Sequence, residues 1–241
     1  MIAKLISLIP LICLGFTTGS IFAERVLIPR NVSGNENRNE NISRSAKQLF
    51  ATKQSLGSLS VGHAEGNMDA EGNPTSLTNG HTDPGNGAFN RGFCSWNKAN
   101  GLSLAEADAK CLQALQRQAA AAEQDLKKAG VEASAIGIIN GADLANQSPR
   151  AGNDFGSQYA KALAKGLKGE KALIHARVES FRTEKGTLSA SGLFRICGNY
   201  ASYREQLAAL KPYSEAWRWQ CIALDQGRRV RAIEEVLKSS R

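Results

Sequence analysis

Apolar positions recur with a helical period over most of this chain, and one polar, glycine-rich stretch interrupts them. Ser45-Ala-Lys-Gln48 has the form of a capping box, and Leu49, Phe50, Leu56 and Leu59 follow at near-helical spacing up to Val61. This predicts a first helix that runs into His63-Ala-Glu65-Gly66. A second box, Ser103-Leu-Ala-Glu106, opens a long helix to Ala129, where Gly130 stops it. Its inner stripe reads Leu104, Cys111, Leu112, Leu115 and the alanines of 119–122, while Arg117, Lys127 and Lys128 face water. The apolar stretch Ile136 to Ile139 leads into a short helix at Gly141 to Asn146. Further helices are predicted over 154–166, 169–182 and 202–210, the last opened by Ser202-Tyr-Arg-Glu205. The run from Asp225 to Leu237 is helical and cationic on one face.

Residues 66–101 are dense in Gly, Asn and Pro, which break any helix and dictate tight turns, with one small hairpin predicted about Glu71-Gly72-Asn73. A loop of that length is uncommon in a compact domain unless it serves a function. The expected fold class is mainly α (α+β): a helical bundle with a Gly-rich loop or small hairpin insert after the first helix, spanning residues 43–241 as a single domain.

The N-terminal segment adds a destination. One lysine, Lys4, precedes an apolar run from Leu5 to Phe16, followed by small and polar residues to Ser20 and then Ala23. That is the layout of a secretory signal peptide over 1–23, and the run falls short of the roughly 20 residues a membrane-crossing helix needs. Cys13 lies inside this run and is read as incidental. Residues 24–42, rich in Asn, Glu and Arg, are expected to form a disordered arm. The whole chain of 241 residues carries 30 Lys+Arg against 22 Asp+Glu, a net +8; loss of the signal leaves +7 and four of the five cysteines. An even number of cysteines in an exported chain points to two disulfides, the alternative being buried free thiols. Three pairings are possible. Cys94–Cys111 with Cys197–Cys221 is favoured, because each closes a short loop around a predicted helix. No stable membrane span remains after cleavage, and a secreted or periplasmic location follows.

Two phrases carry the candidate chemistry. Gly62-His63-Ala64-Glu65-Gly66 and Gly80-His81-Thr82-Asp83-Pro84 each place a histidine two residues before a carboxylate, 18 residues apart, so that a hairpin can bring them together. Glu65 stands at the end of an apolar helix, where partial burial suits a general acid for glycosidic cleavage. Asp83, on a polar turn, suits the orientation of a water or the support of positive charge on a sugar. Turn capping is the alternative for each acid. Two imidazoles and two carboxylates are also a competent metal set, but in the H-x-E spacing one of each pair turns away on a helix. No metal and no cofactor are expected. Asn146 and Gln147, in the phrase Asp143-Leu-Ala-Asn146-Gln147-Ser148-Pro149, offer donors and acceptors suited to sugar hydroxyls and N-acetyl groups, as does Asn86. His63 and His81 complete the expected binding set. Arg177, Arg182, Arg228, Arg229 and Arg231 are read as a solvated basic face. The interleaved aromatics of a nucleic-acid module are missing, so nucleic acid is not an expected partner.

The helix end Val61-Gly-His-Ala-Glu65-Gly66, followed by a Gly-rich turn region and a helical bundle, resembles the lysozyme-like superfamily, in particular the S/A-E-G-T turn of lambda-type endolysins and lytic transglycosylases. That likeness covers the first helix and its turn and implies that Glu65 is the essential acid. The chain is also similar to a group of secreted cyanobacterial proteins that carry E-G-N or E-G-T, then G-H-T-D-P-G-N, D-L-A-N-Q-S/A-P and a terminal D-Q-x-R-R-x-x-A-I, here Asp225-Gln226-Gly227-Arg228-Arg229 with Ala232-Ile233. This second likeness spans most of 45–235. The resemblance implies an exported protein that cleaves peptidoglycan or another anionic envelope glycan; the other class is a non-enzymatic envelope-binding or metal-binding module.

Overall fold

The computed structural model describes residues 44–240, and the export signal expected at 1–23 and the arm expected at 24–42 lie outside them. Among the described residues the chain is mainly helical, with one two-stranded sheet. The expected first helix is two helices, α1 (Ala46–Leu49), opened by the capping box of Ser45 and Gln48, and α2 (Leu56–Glu65). The break has a packing cause. The buried Phe50 ring lies against Gly57, where a Cβ would stand 2.6 Å from two ring carbons, a fit that requires the chain to turn back between the two residues. At the other end of α2, Gly66 adopts φ 78°, and its N–H reaches the carbonyls of Gly62 and His63.

The Gly-rich segment is irregular but well bonded. The hairpin expected about Glu71-Gly72-Asn73 is a turn closed by a single bridge between Met68 and Pro74; proline has no N–H with which to extend a ladder. The two-stranded ladder lies downstream, where β1 (His81–Thr82) runs antiparallel to β2 (Phe89–Asn90) and His81 stands opposite Asn90. Buried Asn67, just past the end of α2, donates to Gly92 O at 2.9 Å and Ser95 Oγ at 2.8 Å and so ties the helix end to this segment. Disulfide Cys94–Cys111 fastens the segment to α3 (Leu104–Lys128).

Helix α3 has its expected capping box, and its buried stripe is Ala107, Cys111, Ala114, Leu115, Ala119, Ala122 and Leu126. The alanine run divides by helical period, with 119 and 122 inside and 120 and 121 exposed. The apolar stretch 136–139 and the segment 141–146 form one helix, α4 (Ala135–Gln147), buried continuously from Gly137 to Leu144. Helix α4 packs against α1, α2, α3, α5 (Pro149–Ala164), α6 (Gly169–Glu179) and α9 (Glu215–Ser239), which makes it the axis of the core. Ser148 serves two helices: its N–H ends α4 on Leu144 O, and its hydroxyl caps α5 at Ala151, with Pro149 as the first residue of α5.

Sequence periodicity did not anticipate α7 (Ser191–Asn199), held to α9 by disulfide Cys197–Cys221. Helix α8 (Ala201–Leu207) begins before the predicted box, with Tyr200 in the cap position, so Ser202 and Glu205 form no cap. Both disulfides follow the favoured pairing, and disulfides of this kind belong to an oxidising compartment. Among the described residues, no helix is long and apolar enough to cross a membrane.

Candidate functional site

The end of α2, the end of α4, the middle of α9, the β1–β2 hairpin and the first turns of α7 surround a groove of about 520 Å³. Glu65, His81, Asp83, Asn86, Asn146 and Gln147 all line it. His63, expected to join them, does not: its Nδ1 bonds Met68 O and its Nε2 bonds Glu235 Oε2, each at 3.1 Å. The cause is helical geometry, since residues two apart on α2 project to different sides. Among the described residues, no three His, Cys, Asp or Glu side chains gather as a metal-binding set.

Glu65 sits at the floor, its side chain 14% exposed. Its Oε1 accepts from Arg229 Nη2 at 2.6 Å and from Asn146 Nδ2 at 2.9 Å. Among the described residues Oε2 makes no hydrogen bond. Asn146 also donates to Cys94 O at 2.9 Å, so one amide group joins the acid to the disulfide-held segment. Asp83 works mainly within its own turn: Oδ1 accepts from the backbone N–H of Gly85 at 2.6 Å and of Asn86 at 3.2 Å. Asn86 in turn accepts from Ala88 N at 2.8 Å, and His81 donates through Nδ1 to Leu77 O at 3.1 Å.

Behind Glu65 lies a buried charge network that the sequence reading missed. Arg177 and Arg229, read as part of a solvated face, are 0% and 3% exposed. Asp143, fully buried on α4, accepts from Arg229 through both oxygens and from Arg177 Nη2 at 2.6 Å. Arg177 also donates to Gln226 Oε1 at 2.6 Å and to both oxygens of Asn140 at 3.0 Å. Gln226 passes the chain on to Gln147 and Asp225 at the groove wall, at 2.8 and 2.9 Å. Burial alone would raise the Asp143 carboxyl, but Arg229 and then Arg177 outweigh it and hold the group at about 2. Burial pushes both guanidiniums down. For Arg229 the carboxylates of Asp143 and Glu65 prevail and raise it well above its ordinary value, whereas Arg177, facing Asp143 alone at close range, is lowered. The signal was present in the sequence: Asn140, Asp143, Asn146 and Gln147 fall at i, i+3, i+6 and i+7 of an otherwise apolar helix, and such polar residues point toward partners inside.

Comparisons with protein-family models, with curated proteins and with solved structures return no match to this chain.

Proposed function

We propose that this groove takes an envelope glycan, that the protein is exported to reach it through the 1–23 signal, and that Glu65 gives its proton to the glycosidic oxygen in a lysozyme-like cleavage of peptidoglycan. The observation that carries this reading is the position of Glu65. It is a largely buried carboxyl in a groove lined by Asn86, Asn90, Asn97, Asn146 and Gln147, with one oxygen anchored and the other unbonded among the described residues. Amide and hydroxyl walls match the donors and acceptors of sugar rings. A carboxyl fixed on one side and open on the other has the placement a proton donor needs. The net charge of +7 that remains after loss of the signal supports attraction to an anionic wall. In this reading Asp83 shapes the hairpin turn that forms one wall.

The ion pair to Arg229 favours a second reading. Glu65 and Asp143 balance Arg177 and Arg229 one for one when Glu65 is ionised, and in that state its free oxygen accepts hydrogen bonds from sugar hydroxyls. The groove would then bind glycan without cutting it.

The Glu65→Gln variant separates the two, because the amide keeps the size and an acceptor oxygen but has no acidic proton. Cleavage predicts that the wild type clears purified peptidoglycan and that the variant still sediments with it but no longer clears it. A variant that clears as fast as the wild type would overturn the assignment of the acid. Sedimentation without clearing by either protein would leave the binding reading.

A further inference from the structure

Two neighbouring arginines of α9 meet the end of α2. Arg229 is buried and spent there, on Asp143 and Glu65. Arg228, which also lines the groove, takes no part in the proposed cleavage, and its side chain is 47% exposed. Its Nη1 donates to Ala64 O at 2.8 Å, on the residue before Glu65. Its Nη2 lies 3.4 Å from Asp225 Oδ1, well beyond the roughly 2.7–2.9 Å of a strong charge-assisted bond. Among the described residues its other N–H groups have no acceptor, so the guanidinium is placed but not saturated.

The placement comes from the buried network. Arg177 donates to Gln226, and Gln226 and Gln147 both donate to Asp225 Oδ2, at 2.9 and 3.0 Å. Two amides thus take one oxygen of Asp225 and leave the other toward Arg228. The remaining acids near the groove are met elsewhere. Glu65 and Asp143 balance Arg229 and Arg177, and Asp83 spends its Oδ1 on the amides of its own turn. A half-exposed guanidinium with N–H groups to give matches a carboxylate, which it can hold through two parallel bonds.

We infer that Arg228 receives a carboxylate carried by the bound sugar itself. In peptidoglycan this is the lactyl carboxylate of N-acetylmuramic acid, present as an acid only where no peptide is joined to it. In other acidic glycans it is the ring carboxylate of a uronic acid. The inference rests on the glycan reading above and deepens it by naming the substituent that is recognised.

The test uses the Glu65→Gln variant, which has no acidic proton to give and leaves the ligand intact. It would be titrated in a calorimeter with three oligomers of equal length: peptide-free alternating N-acetylglucosamine and N-acetylmuramic acid, neutral N-acetylglucosamine, and glucuronic acid. At least one acidic oligomer is expected to bind about tenfold more tightly than the neutral one, and the one preferred names the source of the carboxylate. Adding Arg228→Gln should abolish the preference while the neutral oligomer binds as before, and adding Arg228→Lys should keep part of it. Any acidic chain is drawn to a protein of net +7, so Arg117→Gln, which removes the same charge from the exposed side of α3, is the control and should keep the preference. Equal binding of all three oligomers, or the same loss of preference with Arg117→Gln, would overturn the inference and leave the glycan reading standing. No binding of any oligomer would overturn both. If a variant does not fold, the wild type decides the matter with single sugars, which hold no glycosidic bond to cleave. N-acetylmuramic acid or glucuronic acid, and not N-acetylglucosamine, should then shift the Arg228 side-chain NMR signal, and no such shift would overturn the inference.

Discussion

Asp143 grips Arg229 side-on, accepting from Nε at 2.9 Å and from Nη2 at 2.6 Å, inside a core where the Asp143 side chain has no exposure to water. This pair turns the central helix into a support for the groove. Arg229, fixed by Asp143, presents the same Nη2 to Glu65, so the carboxyl at the groove floor is positioned from the middle of the protein. Asp143→Asn would leave two buried guanidiniums sharing one neutral amide. A loss of about 3–5 kcal/mol in unfolding free energy by urea titration is expected; a loss below ~1 kcal/mol would show that the network adds little to the fold.

Acid should weaken the fold through the same residue. Asp143 titrates at about 2 in the folded protein and near 3.8 when unfolded, so the unfolded chain binds more protons between those values. The stabilisation is therefore complete above about pH 4 and is lost as pH falls toward 2, amounting to roughly 2–3 kcal/mol. Melting curves from pH 5 to pH 2 should show this slope in the wild type and a shallower one in Asp143→Asn.

Asn146 joins Glu65 to the Cys94 carbonyl, and loss of its amide releases the acid on one side. If Glu65 cleaves glycan, Asn146→Ala should slow turnover by up to ~100-fold through misplacement of the carboxyl, and it should weaken glycan binding as well, since Asn146 also walls the groove. Parallel clearing and sedimentation assays give both numbers.

The disulfides should differ in what they protect. Removing either pair by Cys→Ser is expected to cost about 2–4 kcal/mol. Without Cys197–Cys221, hydrogen exchange should rise first in 191–199, the wall that meets Gly85; without Cys94–Cys111, it should rise in 89–97. Equal exchange in both regions for both variants would refute this division.

Two glycines predict opposite signs. A Cβ on Gly156 would stand 2.7 Å from the carbonyl of Asp125 on α3, so Gly156→Ala must push two helices apart and should cost about 1–3 kcal/mol. Gly198, within α7, has nothing within 4 Å of the same position, and Gly198→Ala should add roughly 0.5–1 kcal/mol from helix propensity. Melting temperatures of the two variants check both.

Helices with strong local signals were legible: the boxes at Ser45 and Ser103, the stop at Gly130 and, of the expected α3 stripe, Cys111, Leu115, Ala119 and Ala122 stand in the structure. So were the disulfide partners, which close short loops; six of the seven residues expected together line one groove. Phe50 folding onto Gly57 split the first helix, Pro74 reduced an expected hairpin to one bridge, and α7 depends on its disulfide and on α9.

By itself the sequence determined most of the segments that coil, α7 excepted, and the apolar side of α3, because capping and periodicity act over a few residues. It also placed Glu65 at a helix end beside a polar loop. Only the tertiary structure decided what surrounds that acid. Arg177 and Arg229 look like surface charge along the chain and become core residues because Asp143, from a helix packed on every side, meets them there. A long-range ion pair of this kind is set by the packing of α4, α6 and α9, which no local pattern encodes. The same holds for Gly85 and Gly192, more than a hundred residues apart, whose backbones approach where the hairpin meets α7.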